Sequence, residues 1–331
     1  MRHLLCALLL PVVASAQVQE TITVARVVLD VRVAHPDGTL VRGLSPEDFT
    51  VEIDGKRAEI ESLEWIDDGE TEVARLVRGQ EPEAIDSNRP AGRMLVAFIQ
   101  TDFARHETRV RGQMNFLQYT EELLSELTPA DRVAVFSFDS HLKFRLDFSN
   151  DREAITRAIH AALRIDHPGP PPAVPNPSLA AHLDRAAMKR AATSEKGLAI
   201  VGNALAHIEG PKSLLLMGWG LGVLSNGYVR MTPEYREAKV ALDRSRTSIF
   251  ALDTSHADYH SLEVGLQIAA KETGGFYAKT HIFPQIAVDR LHRVLEGHYE
   301  ISVRLPENAK SRTVNVKVKR RGVDVMAPTM Y

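Results

Sequence analysis

Asp253, His256, Asp258 and His260 fall within eight positions and carry the oxygen and imidazole donors that hold Zn²⁺. Two histidines four apart share a face only on a helix, whereas Asp253-Thr254-Ser255 after an apolar run reads as a turn. The segment supports a secondary expectation, a metal-dependent hydrolase using the His256/His260 region. Gly218-Trp219-Gly220-Leu221-Gly222 also follows an apolar run, as phosphate-cradling loops do. It has neither a Gly-Lys-Ser/Thr ending nor a complete Gly-x-Gly-x-x-Gly. It reads as a flexible loop with Trp219 at its tip, either an interface anchor or a core residue. Nucleophilic hydrolysis leaves no trace, since Cys6 is the only cysteine and there is no Gly-x-Ser-x-Gly elbow. No catalytic residue is expected, and the chain is read as a non-enzyme.

The elements that must position such residues follow from periodicity. Met94-Leu95-Val96-Ala97-Phe98-Ile99 is an unbroken apolar run of strand length, the mark of a strand buried on both faces of a parallel sheet. A helical pattern over Met114, Leu117, Leu123, Leu124 and Leu127 follows, closed by Thr128-Pro129, and a strand over 132–138 comes next. The alternation continues through an edge strand at 142–148, a helix at 150–165, helices within 179–208 and a strand at 213–217. It ends with helix 234–246, strand 248–252, helix 262–273, strand 275–278 and helix 284–295. Strands alternating with amphipathic helices predict a Rossmann-like, doubly wound α/β domain over 93–297. Sheets of this kind bind ligands beyond the carboxyl ends of their strands.

On both sides of this domain the period drops to two. Val27 to Val33, Phe49 to Ile53 and the Asp54-Gly55 hairpin signal mark a β segment over 17–66, and 298–331 is a second. Neither has strands enough to stand alone, so the flanks are predicted to pair into one β-sandwich-like domain, with 67–92 as a polar linker. Pro168-Gly169-Pro170-Pro171-Pro172, continued by Pro175 and Pro177, reads as a stiff connector. Arg2 and His3, the apolar run 4–13 and Ala14-Ser15-Ala16 predict a signal peptide over 1–16. The expected location is therefore periplasmic or secreted, with no transmembrane segment after cleavage, because no run reaches the roughly 20 apolar residues that span a bilayer. With 331 residues, 44% of them hydrophobic, a mature chain free of cysteine buries core enough to fold unstapled. The 40 basic and 43 acidic residues are mixed, which gives no field for nucleic acid or anionic lipid.

Taken together, the 95–99 strand, Leu127-Thr128-Pro129-Ala130-Asp131-Arg132, the run from Val133 to Asp139 and Glu272-Thr273-Gly274-Gly275-Phe276-Tyr277 resemble a von Willebrand factor A domain. In the flanks, Val31-Arg32-Val33-Ala34-His35-Pro36-Asp37-Gly38, Gly43-Leu44-Ser45-Pro46-Glu47-Asp48-Phe49 and Glu52-Ile53-Asp54-Gly55-Lys56 resemble the exported, acidobacterial type of von Willebrand factor A-related protein. The resemblance implies a metal-ion-dependent adhesion site: an Asp-x-Ser-x-Ser loop after the first strand, a Thr from a later loop and an Asp after the fourth strand, holding Mg²⁺ or Ca²⁺. By position, Gln100 takes the Asp slot, while Asp102 and Ala104 take the Ser slots. Ala199 lies in 198–204, where the Thr is expected, and Gly218 or Trp219 stands where the second Asp belongs. So few hard oxygens hold a bare dication weakly, so the standard site is expected to be degenerate and no cofactor is expected. Asp102 and Asp139 remain as a different Mg²⁺ or Ca²⁺ pair, against the plainer reading of Asp102 as a helix cap.

The expected function is an exported, non-catalytic module that binds a protein partner through Gln100, Thr101, Asp102, Asp139, Ser140, Gly218, Trp219 and Gly220. A metal-dependent adhesin whose cation is completed by the partner is the alternative, beside the hydrolase.

Overall fold

The computed structural model describes residues 26–68, 92–101, 104–164, 177–306 and 309–331. The expected signal peptide, nearly all of the linker, Asp102 and most of the proline-rich stretch lie outside the described residues. The chain starts with β1 (Arg26–Ala34), β2 (Phe49–Ile53), β3 (Lys56–Arg57) and β4 (Glu59–Asp67). An α/β run follows: β5 (Met94–Gln100), α1 (Glu107–Leu117), α2 (Thr120–Leu123), β6 (Arg132–Phe138), β7 (Leu142–Ser149), α3 (Arg152–Arg164), α4 (Arg185–Arg190), α5 (Ser194–Leu205) and β8 (Lys212–Gly218). It continues through β9 (Val223–Ser225), β10 (Tyr228–Arg230), α6 (Pro233–Arg244), β11 (Thr247–Asp253), α7 (Glu263–Glu272), β12 (Tyr277–Lys279) and α8 (Pro284–Val294). The chain closes with β13 (Gly297–Arg304), β14 (Val314–Val318) and β15 (Asp324–Met326).

The central sheet has the order β12-β11-β8-β5-β6-β7, parallel except for the antiparallel edge strand β7. Every residue of β5 is buried because its two faces meet different cores. Met94, Val96 and Phe98 pack with Leu198, Val201 and Leu205 of α5 and with Ala238 and Leu242 of α6. Leu95, Ala97 and Ile99 pack on the other face with Ile155 and Ile159 of α3 and Val288 and Leu291 of α8. That two-sided burial is the expected doubly wound α/β architecture.

The flanks do interleave. β13 lies between β1 and β4 in a sheet of order β15-β1-β13-β4, and β14 pairs with β2 in a second sheet, β14-β2-β3. Leu29, Val31 and Val33 of β1, with Tyr299 and Ile301 beside them on β13, face Phe49, Val51 and Ile53 of β2 in a third core between the two sheets. Asp54 and Gly55 take the positive φ values, 50° and 74°, that a tight hairpin needs.

Three local expectations are corrected. The helix expected through Leu127 stops at Leu117 and resumes only for Thr120–Leu123. The last sheet strand begins at Tyr277, because the Gly275 N–H still closes the preceding helix by donating to Ala270 O at 2.9 Å. The hairpin β9–β10 is an addition: its turn residues Asn226 and Gly227 both have positive φ, a signal that was present in the sequence.

Candidate functional site

Gln100, at the carboxyl end of β5, is buried and its side-chain amide is saturated. Its Nε2 donates to Ser194 Oγ at 3.0 Å and to Gly220 O at 2.7 Å. Its Oε1 accepts from the backbone N–H of Trp219 at 2.9 Å and of Gly220 at 3.1 Å. Two N–H groups and a carbonyl fix which amide atom is which, since the flipped amide would set donor against donor. One neutral side chain thus ties β5 to the start of α5 and to the loop after β8. Gly218 makes room for it, because a Cβ at 218 would lie 2.6 Å from Gln100 Oε1.

The hydroxyl that meets Gln100 is that of Ser194, ahead of the 198–204 stretch. Positions 198–204 lie in the body of α5 with Leu198, Ala199, Val201 and Ala204 in the core. The end of that helix facing Gln100 is its N-terminus, where the Thr193 side chain caps Lys196 N at 3.2 Å and Ser194 reaches the amide. The loop 218–222 is also not the free loop expected. Besides Gln100, the buried Glu195 accepts the Gly222 N–H at 2.6 Å. Trp219 is partly buried under the Arg109 guanidinium, 3.5 Å from its ring, and its Nε1 has no hydrogen-bond partner among the described residues. It is therefore neither a core residue nor a bare tip.

Thr101 is buried and turned into the sheet: both its N–H and its Oγ1 donate to Phe138 O, at 2.8 and 3.1 Å. Asp139 follows β6, but its oxygens are committed to the Ser140 N–H and Oγ and to Lys143 Nζ. Burial works to raise the Asp139 carboxyl, yet Lys143 and Ser140 outweigh it and hold the group below its ordinary value. Asp102 lies outside the described residues, so its pairing with Asp139 is not described either. The N-cap position of the following helix is His106. The structure thus unites Gln100, Ser194, Gly218, Trp219 and Gly220, and leaves Asp139 and Ser140 in a local turn with Lys143.

The acidic and histidine segment after β11 is not helical, and its members separate. His260 Nε2 lies 2.8 Å from Asp253 Oδ2, and the Tyr277 hydroxyl donates to the same oxygen at 2.8 Å. Asp253 Oδ1 accepts the Ser255 N–H at 2.9 Å. Burial would raise the Asp253 carboxyl, but the His260, Ser255 and Tyr277 donors prevail and keep it ionised below its ordinary value. Glu263, which the sequence did not single out, joins this group: it accepts the His260 backbone N–H at 3.4 Å and pairs with Lys279 Nζ at 2.8 Å. His256 turns away to His281, their Nδ1 atoms 3.0 Å apart, while Asp258 stands 3.6 Å from His281 Nε2.

No protein-family model and no curated protein sequence matches the chain. Among solved structures, it is similar to an aerotolerance-related membrane protein from Bacteroides fragilis, at 11% identity over 61% of this chain and 98% of that one, with a TM-score of 0.40. It is also similar to the vWF domain of the type V pili tip protein Mfa5 from Porphyromonas gingivalis, at 13% identity over 61% and 94%, TM-score 0.39. A third is proximal thread matrix protein 1 from the mussel byssus with a zinc-occupied MIDAS motif, at 15% identity over 66% and 48%, TM-score 0.39.

Proposed function

We propose that the chain is an exported, non-catalytic protein-binding module of von Willebrand factor A type that recognises its partner through side chains rather than through a bound Mg²⁺ or Ca²⁺. The observation that carries this reading is the Gln100 amide. In the slot where the resembled family keeps an Asp, it makes four hydrogen bonds and bridges the same loops that a cation would bridge. A neutral group with no oxygen left over offers a dication nothing to bind.

The connections leaving the carboxyl ends of β8, β11 and β12 supply an alternative means of recognition. Tyr228 on the β9–β10 hairpin is 80% exposed and Phe283 after β12 is 64% exposed, with Leu224, Tyr259, Ile282 and Ile286 also out in solvent. Large apolar and aromatic side chains held at one end of a sheet are the composition of interface anchors. No helix among the described residues is long and apolar enough to cross a membrane.

The test is capture of an envelope protein on the immobilised chain, with and without chelator, against a Tyr228→Ser/Phe283→Ser double variant. The expected result is capture that survives chelator and is lost in the variant. Capture that disappears in chelator would instead support an adhesin whose cation the partner completes.

A further inference from the structure

We infer that the chain has a zinc-class cation site, unrelated to the Gln100 position, formed by Asp253, His260 and Glu263 at the carboxyl end of β11. One donor atom from each of the three residues lies within 4.8 Å of the others. Each comes from a differently anchored element: Asp253 ends β11, Glu263 opens α7, and His260 is in the loop between them. An imidazole nitrogen with two carboxylate oxygens is a donor set for Zn²⁺ rather than for Mg²⁺ or Ca²⁺, which prefer oxygen throughout. Zinc bonds of about 2.0–2.2 Å place tetrahedral ligands roughly 3.3–3.6 Å apart, so small side-chain movements within the cluster suffice. His260 is 21% exposed, which leaves an open side for water.

Charge gives the second argument. Asp253 and Glu263 are both buried, and among the described residues the ammonium paired with them is that of Lys279, on Glu263. A dication replacing Lys279 at Glu263, bound by the imidazole nitrogen of His260 once that atom carries no proton, brings the two carboxylates to neutrality. Lys279 has somewhere to go: its Nζ also donates to Asp258 O and lies 5.9 Å from the Tyr259 ring. Lys279 is therefore a built-in competitor for the ion. The donors needed to orient the ligands are also in place, since the Tyr277 hydroxyl and the Ser255 N–H both hold Asp253.

This inference does not depend on the partner-recognition reading, and its test measures metal alone. The full chain, purified without a histidine tag, is dialysed against Zn²⁺, and Co²⁺ is used as a spectroscopic substitute whose visible bands report four-coordinate binding. One equivalent of Zn²⁺ is expected. His260→Ala and Glu263→Gln should each weaken it by about tenfold or more. Lys279→Met should tighten it by about tenfold, which no misfolded variant would do. The double variant His256→Ala/His281→Ala should bind as the parent does. Absence of zinc binding in the parent, loss of binding in the His256/His281 variant instead of in His260→Ala, or a Lys279→Met chain that binds no more tightly would each overturn the site.

Discussion

The two ends of the central sheet solve the same problem, joining distant loops, with opposite chemistry. At the carboxyl end the joint is one neutral amide, Gln100, whose partners are backbone groups and a serine hydroxyl. At the amino end, where the α/β domain meets the β sandwich, the joint is ionic. Arg246, just before β11, donates to Asp30 of β1 at 2.9 Å and to Glu300 of β13 at 2.7 Å. His298 is 0% exposed between Asp68 at 2.8 Å and Asp30 at 3.3 Å, and Arg32 lies 3.7 Å from Asp68. Three carboxylates there face two arginines, with the His298 imidazole buried between Asp30 and Asp68. An amide joint holds at any pH, whereas an ionic joint depends on every member keeping its charge.

Breaking the ionic end at its centre should have the largest effect. Arg246→Met removes the guanidinium that pairs with both Asp30 and Glu300 in a largely buried place while His298 still faces Asp30, and a loss of about 3 kcal/mol in unfolding free energy is expected from urea titration. Arg246 also sits at a φ of 51°, a left-handed conformation costly for a side chain. Arg246→Gly should therefore be less damaging than Arg246→Met by about 1 kcal/mol, although it loses the same ion pairs. Equal losses would show that the backbone there is not strained.

The neutral end ranks second. Gln100→Ala removes four hydrogen bonds at about 0.5–1.5 kcal/mol each, and part of that returns if water enters, so a loss of about 2–4 kcal/mol is expected. The sharper variant is Gln100→Asp, which places a carboxylate beside the Gly220 carbonyl and Ser194. Its melting temperature should rise on addition of Mg²⁺, while that of the parent should be indifferent to Mg²⁺ and to its chelation. A parent chain stabilised by Mg²⁺ would refute the idea that the amide has taken over the cation's role.

The difference between the two ends also explains what could be read from sequence. The unbroken apolar run of β5 and the two-residue period of β1 and β13 announced a buried parallel strand and a flanking β unit, because burial on one or two faces writes itself into adjacent residues. Gln100 stood out only through resemblance, as an amide where an Asp was expected. Its role did not show, since its partners lie 94 and 119 positions away. The stretch 198–204, where Ala199 offers no hydroxyl, drew attention away from Ser194 because spacing cannot tell the first turn of a helix from its body. Asp253 and His260 were grouped with His256 and Asp258 by proximity along the chain, and the non-helical loop then divided them. Glu263 was overlooked because an acidic residue in the first turn of a helix already has a reason to be there. The ionic joint was invisible, its members being single charges on strands whose pairing crosses the whole chain.

The smallest expected effect separates the two joints by pH. Burial would lower the His298 imidazolium, but Asp68 and Asp30 outweigh it and raise the group above its ordinary value. The proton therefore binds the folded chain more tightly than the unfolded one. Its contribution is complete below about pH 6.5 and is lost as pH rises through the folded value. Lys212, buried at the same end of the sheet, acts in the opposite sense. Burial first, then Arg246, push it down to about 7, so folding gains as pH rises from there toward its ordinary value. The two trends overlap, and the pH profile of the parent alone would hide both. Subtracting the profile of His298→Asn cancels the Lys212 contribution and leaves that of His298. The stability advantage of the parent over the variant should shrink steadily as pH rises above about 6.5. The same subtraction applied to Gln100→Ala should give a flat line, because nothing in that joint titrates. An advantage over His298→Asn that stays constant across this range would mean that the buried imidazole is neutral throughout, and that the joint at the amino end does not need its proton.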